Sequence, residues 1–414
     1  MLGNALAVFA LALMLRIGFV AWAPRVASGD ASWYHAYATT LSQGAGYLEL
    51  DGSPAIRWMP GWPLLLASLY RVTGPSSSSG MLLNATLGAA TAALLVVLGA
   101  RLFRREVGTV AGALYAIWPG VITFSATLMS EVAFSFFLVA SISLLCLAAD
   151  RARHQQAWFA AAGLTFGAAG LVRPELWVLV PVLGTFVAIS LQSARASARA
   201  AAAFSLAVAL TLTPWVVRNY QHFDRLLVTS AAGGMNAWLG NHDRATGGEN
   251  FGQLARYQSR HEHATVAQTS LAMNDAGWRD AWRFARTNPG RWLRLTATKL
   301  RLTYGSDDGG ARMVRGARPR WAALDPTTHR RLAGVANTFW WLASALAVLG
   351  LTTLRRWSAP ARVLVLGWPA SWLVLHMIFI GGPRFHVPEI PAISLWAAWG
   401  GLSLVELVRR ILGR

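Results

Sequence analysis

The sequence predicts an all-α polytopic membrane protein, and three observations carry that reading. Its 414 residues are 55% hydrophobic and only 13% charged, where soluble domains usually carry about a quarter charged residues. Mean hydropathy is +0.40. Twenty tryptophans suit a chain with two long membrane–water interfaces, where indole rings settle.

The net charge of +19 is almost wholly arginine, because Lys299 is the only lysine. Nucleic-acid binding needs clustered positive charge to neutralise phosphates. Here the arginines are scattered between hydrophobic stretches and make no basic domain, so their charge points to membrane orientation and lipid phosphates. A single cysteine, Cys146, excludes an intrachain disulfide and a thiolate metal site.

Residues 3–22 read as a first apolar span. A cleaved signal peptide is the alternative, but no basic segment precedes the apolar run and Arg16 interrupts it. A polar stretch, 23–57, follows. The segment Arg57-Trp58-Met59-Pro60-Gly61-Trp62-Pro63, leading to Tyr70, is too short in its apolar part for the ~20 residues a span needs. It reads as a helix lying in the interface, anchored by Trp58, Trp62 and Tyr70. Further spans are expected at 81–102, 107–126, 130–149, 156–173, 175–192, 200–217, 332–354, 361–380 and 388–408, which makes ten in all.

Alternate connections carry Arg101/Arg104/Arg105, Arg151/Arg153, Arg195/Arg199, Arg355/Arg356/Arg362 and Arg409/Arg410/Arg414. With ten spans all five fall on one side, and short basic loops stay cytoplasmic. Of the 18 acidic residues, only Glu106, Asp150 and Glu406 share that side. Both termini are then inside and Asp30, at the end of the first span, faces out.

Three regions follow: an N-terminal transmembrane module, 1–217, whose first outer loop, 23–80, carries Asp30; an outer loop, 218–331; and the C-terminal transmembrane helices, 332–414. Within the middle region, Trp278, Trp282, Phe284, Trp292 and Leu295 alternate with Arg279, Arg283, Arg286, Arg291 and Arg294. Such an amphipathic helix lies on a membrane surface or packs on its own protein.

The chemistry-bearing candidates border the outer face. Asp30 sits in Gly29-Asp30-Ala31-Ser32-Trp33-Tyr34-His35, and Glu131 opens the fourth span on the same side. Acids at membrane depth are costly and are usually functional or paired. Two carboxylates converging on one cavity divide acid–base or orienting work; capping its own helix is the competing reading for Glu131. Arg57, Arg173, Arg218 and Arg384 border the same face, and guanidinium groups hold phosphate through paired donors. Snorkelling at the interface is the alternative for each. Arg16, inside the first span, needs a partner. His35 and His386 are candidate ligands or proton carriers, or polar residues of a cavity. No His/Asp/Glu motif has metal spacing, so no metal ligands are assigned and a divalent-metal requirement stays open. There is no phosphate-binding Walker loop, no Ser-His-Asp signal and no dinucleotide fingerprint.

In combination these residues resemble the bacterial membrane glycosyltransferases of the GT-C superfold, the group that includes protein O-mannosyltransferases, the aminoarabinose transferase of lipid A and lipopolysaccharide-core transferases. The likeness rests on Gly29-Asp30 with Tyr34 and Ala38 through Gly46-Tyr47, then Met59-Pro60-Gly61-Trp62-Pro63, Ser130-Glu131 and Arg173-Pro174. It continues through Pro214-Trp215 with Arg218-Asn219-Tyr220, Asn236 through Gly240-Asn241 to Ala245-Thr246-Gly247, and Arg384 with Pro388 and Pro391. No single motif is specific; their order and spacing cover nearly the whole chain.

The resemblance implies a GT-C-like fold with juxtamembrane helices on the periplasmic side of a bacterial inner membrane. It implies an inverting enzyme that moves a sugar from a polyprenyl-phosphate donor to an envelope glycolipid, polysaccharide or protein. Asp30 matches the family's first-loop acid, taken as the base or orienter of the acceptor, and Glu131 takes the place of a second acid. Arg57, Arg173, Arg218, Arg384, His386, Tyr34 and His35 are the candidates for holding the lipid phosphate and substrate. The chain departs from relatives in having Met59 where many carry a second proline, no large soluble domain at either end, and no counterpart of the donor-binding lysines of some members. Two rivals remain. A lipid-linked-sugar flippase would spread polar residues through the midplane and show repeat symmetry, whereas here they gather at one face. An enzyme like the O-antigen ligases would rely on outer-loop arginine and histidine, Arg384 and His386, in place of Asp30.

Overall fold

Apolar segments of 18 to 30 residues fold as helices because, in lipid, every backbone group must be bonded within the segment. The computed structural model describes residues 1–23, 29–150, 153–315 and 324–413, so Arg151 and Arg414 lie outside the described residues. The long helices are α1 (Leu2–Trp22), α4 (Ser77–Leu102), α7 (Glu131–Ala149), α8 (Gln155–Val172), α9 (Val180–Leu191, led in by a 3₁₀ turn, Pro174–Leu179) and α10 (Ala194–Phe223). After the polar middle region come α16 (Pro326–Leu351), α17 (Ala359–Ile378) and α18 (Ile390–Ile411). Shorter helices are α2 (Asp30–Ser42), α3 (Gly61–Thr73), α5 (Arg105–Ala116), α6 (Pro119–Phe124), α11 (Gly233–Gly240), α12 (Phe251–Arg260), α13 (Val266–Thr287), α14 (Pro289–Tyr304) and α15 (Gly309–Arg315). Among the described residues there is no strand, only an isolated bridge between Leu48 and Pro54. The fold is all-α, as expected.

Among the described residues, eight helical segments are long and apolar enough to cross a membrane, two fewer than expected. The 156–173 segment does form a helix, α8, but it opens on two glutamines and is not among the eight. The 107–126 segment breaks at Trp118-Pro119 into α5 and α6. Proline cannot donate to the helix ladder and clashes with the preceding turn, so α5 stops before it and Pro119 starts α6. The break leaves carbonyls at the end of α5 without partners, and Arg16 supplies them. Its guanidinium, fully buried inside α1, donates to Tyr115 O at 3.1 Å and Ala116 O at 3.0 Å. Gly88 on α4 makes the room, since a Cβ there would sit 2.7 Å from Arg16 Nε. The costly arginine within the first span is thus a helix cap provided from another helix.

One end of the bundle gathers the arginine-rich connections. Arg101 pairs with Asp150 at 2.9 Å and Arg104 with Glu406 at 2.5 Å, joining the C-terminal ends of α4, α7 and α18. Asp30, Glu131, Arg173 and Arg384 stand at the helix ends away from these pairs.

Two expectations about the short helices change. Trp62 and Tyr70 of α3 are buried in the protein, where they bond to Leu128 O and His35, so they anchor the helix to the bundle and not to a membrane surface. The amphipathic stretch from Trp278 to Tyr304 is two helices, broken at Asn288-Pro289. Phe284, Leu295, Lys299 and Thr303 face inward, while Trp282 and its neighbouring arginines are exposed.

Candidate active site

Gly29 starts the site. Its φ of 58° lies in the left-handed region, which a residue without Cβ adopts at little cost. The turn places Asp30 as the first residue of α2, where a carboxylate faces the positive end of the helix. Glu131 likewise opens α7, and Asn84 of α4 fixes the loop before it by donating to Thr127 O and Met129 O at 2.9 and 3.0 Å. Gly61 lets the start of α3 press onto the end of α8, because a Cβ there would lie 2.5 Å from the Leu171 backbone. Arg173 follows directly on α8.

These supports bring two charge clusters together. Arg384 donates to Asp30 Oδ2 at 2.8 Å and to Glu249 Oε1 at 2.6 Å. Arg173 lies 3.0 Å from Glu131 Oε1 and donates to Glu175 Oε1 at 2.8 Å and to Ser130 Oγ at 3.2 Å. Burial alone lowers the pKa of Arg384, but the carboxylates of Asp30, Glu249 and Glu131 outweigh it and hold the group protonated. Asp30, Arg173, Glu175 and Arg384 line one cavity of about 150 Å³, with Tyr34, Trp58, Met59, Ser230, Asn236 and His376. Glu131 is fully buried behind Arg173, and neither of its oxygens has a hydrogen-bond partner. It pairs with Arg173 and does not itself line the cavity.

The other sequence candidates are distributed differently. Tyr34 lines the cavity, its hydroxyl 3.4 Å from Ser130 Oγ. His35 bonds to the Tyr70 hydroxyl at 2.9 Å and does not line the cavity. Arg57 lies over Trp58 and borders a separate small pocket near Met235 and Met273. Arg218 donates to Ala55 O at 2.7 Å and Tyr47 O at 3.0 Å, tying the first loop to α10. His386 is fully buried, bonded to Thr303 O at 2.7 Å and Asp307 Oδ1 at 3.0 Å. It fixes the loop that carries Arg384, two residues away. Among the described residues no three His, Cys, Asp or Glu side chains group as a metal site.

Sequence reasoning missed Glu249, Glu175 and His376. Glu175 had a signal, lying two residues beyond Arg173. Glu249 and His376 had none, since their roles depend on contacts across the chain. Lys299 was also unread: it is fully buried and donates to Asn241 Oδ1 at 2.6 Å, Met377 O at 3.2 Å and Ile378 O at 3.3 Å. Burial lowers its pKa to about 8. It caps α17 and holds the loop after α11 against it.

A second, larger space lies beside this cavity. It is an apolar cleft of about 790 Å³ between α8, α9 and α10, lined by Phe166, Trp177, Leu183, Gly184, Ala201 and Phe204 among others. The 3₁₀ turn Pro174–Leu179 borders both spaces, with Pro174 and Glu175 on the polar cavity and Trp177 on the cleft.

This architecture is shared with solved membrane proteins. The chain superposes on the Archaeoglobus fulgidus oligosaccharyltransferase in complex with zinc and sulfate with a TM-score of 0.59 at 14% identity, covering 98% of this chain and 49% of that one. The archaeal oligosaccharyltransferase AglB from the same organism, in complex with an inhibitory peptide and a dolichol-phosphate, gives 0.58 at 16% identity, with 99% and 52% coverage. The chain has the GT-C fold. It spans about half the length of these oligosaccharyltransferases. A weaker likeness, a TM-score of 0.45 at 12% identity over 96% of this chain and 78% of the other, is to ArnT from Cupriavidus metallidurans bound to undecaprenyl phosphate. Residues 54–217 match the family model for dolichyl-phosphate-mannose-protein mannosyltransferase. That stretch of the GT-C fold contains Glu131 and Arg173 but neither Asp30 nor Arg384. No curated protein matches the chain significantly.

Proposed function

We propose that the chain transfers a sugar from a polyprenyl-phosphate donor to a cell-envelope acceptor on the outer, periplasmic face of a bacterial inner membrane. The observation that carries the reading is the meeting of Asp30 with Arg384 and Arg173 on one cavity, next to an apolar cleft of lipid size. The match to the mannosyltransferase family model and the shared GT-C fold support it.

In the proposed reaction Asp30 accepts the proton of the acceptor hydroxyl as its oxygen attacks the anomeric carbon. The bond from that carbon to the phosphate oxygen breaks, and its electron pair leaves with the lipid phosphate. A sugar phosphate is already activated, so positioning and charge stabilisation supply most of the acceleration. Arg173 and Arg384 face the departing phosphate. Both are held between carboxylates, which keeps the guanidinium planes fixed, as preorganised stabilisation requires. The polyprenyl tail lies in the apolar cleft and brings the phosphate to the turn after Arg173.

The test is transfer by the purified full chain in lipid, using donor lipids extracted from the source membrane and mass spectrometry of the acceptor fraction. Removing a positioned general base typically costs 10²–10⁴-fold. Asp30→Asn at normal expression should lose about a hundredfold or more; full activity in that variant would refute the assignment. Because Arg384 bonds Asp30 directly, substitutions at the two sites are coupled. Asn keeps an acceptor oxygen for Arg384, so a ligase-like reading centred on Arg384 predicts a mild loss in Asp30→Asn and a severe one in Arg384→Gln.

A further inference from the structure

The last turn of α17 ends the cavity wall with His376. Its side chain is almost wholly buried, at 3% exposure, yet neither ring nitrogen has a hydrogen-bond partner in the protein. The Phe385 backbone is near the ring, but no contact to it meets hydrogen-bond distance and angle. A buried polar group without a protein partner costs free energy that a bond to a bound ligand or an ordered water returns. The two imidazoles that the sequence singled out are bonded, His35 to Tyr70 and His386 to Thr303 and Asp307. His376 lines the same cavity as Asp30, Arg173 and Arg384.

The chemistry of the ring selects its partner. An ordinary imidazole is mostly neutral above pH 7, with one donor nitrogen and one acceptor nitrogen. An ionised phosphate diester offers only acceptors, and the two guanidinium groups of the cavity already suit it. A sugar hydroxyl offers a donor and an acceptor together. Asn236 and Ser230, lining the same cavity, add neutral hydrogen-bonding groups of the kind a polyol meets.

We propose that His376 is a substrate-contact residue that recognises hydroxyl groups of the sugar being transferred, separate from the groups that hold the phosphate. This rests on the transferase reading above. It divides the cavity into a phosphate region at Arg173 and Arg384 and a sugar region at His376.

Binding to the full-length protein in nanodiscs tests it, with bare polyprenyl phosphate, polyprenyl phosphomannose and polyprenyl phosphates of other hexoses and pentoses as probes. Wild type should bind at least one sugar-bearing lipid more tightly than the bare lipid. His376→Phe should lose about tenfold of that margin, the size expected for one or two hydrogen bonds, with affinity for bare lipid unchanged. His376→Gln, which keeps a donor and an acceptor, should retain most of the margin. Equal losses for bare and sugar-bearing lipids, or an undiminished margin in His376→Phe, would overturn the proposal. A wild-type protein that binds bare lipid and gains nothing from any sugar would overturn the transferase reading as well.

Discussion

Asp30 and Glu131 stand out in the sequence for the same reason, as acids at the ends of apolar runs, yet they meet different surroundings. Asp30 is partly open to the cavity and bonded to Arg384, whereas Glu131 is sealed behind Arg173. The difference fixes what each substitution should do. Breaking a buried ion pair by removing one partner leaves the other charge uncompensated, at a typical cost of 3–5 kcal/mol. Glu131→Gln leaves Arg173 its pair with Glu175, so it should lower the melting temperature of the detergent-solubilised protein by less than that, a destabilisation of about 2 kcal/mol. It should also weaken transfer through a displaced Arg173. An unchanged melting temperature would mean that the pair contributes little. Both acids were legible because ionisable residues at membrane depth are rare. Their partners were not: Arg384 lies 354 positions from Asp30, and nothing local in either segment encodes the pairing.

Helices supply the next level of the argument, and here local rules decided the breaks while packing decided the uses. Pro119 and Pro289 each start a helix, as proline's missing N–H favours. That Arg16 should cap the broken end of α5, or Lys299 the end of α17, follows only from helices brought side by side. The cleft between α8, α9 and α10 is a product of the same packing. A built-in test lies at Gly184, where a Cβ would meet nothing within 4 Å. Gly184→Trp should fill the cleft without straining the fold. If the donor tail lies there, the variant raises the KM for the lipid donor several-fold with kcat largely spared; an unchanged KM would put the tail elsewhere.

On the scale of the whole molecule, the ion pairs Arg101–Asp150 and Arg104–Glu406 mark one end of the bundle and the cavity lies at the other. The arginine pattern predicts that the first end faces the cytoplasm. Cysteine labelling checks this, and the buried Cys146 gives a low background. Arg260→Cys should react with a membrane-impermeant maleimide in intact spheroplasts, and Arg105→Cys only after permeabilisation. The reverse pattern would invert the topology and put the cavity inside.

Composition and periodicity alone determined the helical class and most of the long helices, because the need to bond every backbone group in lipid leaves few solutions. They also marked Asp30, Glu131, Arg173 and Arg384 as residues of consequence. Only the tertiary structure decided that Asp30 meets Arg384 and Glu249, that Glu131 pairs with Arg173, and that Arg218 and His386 brace the loops. It alone set His376 against the cavity. The physical reason is one of range. Burial cost attaches to a residue type and can be read locally, whereas a partner for a buried charge comes from whichever helix the packing brings within 3 Å or so, and sequence separation carries no record of that.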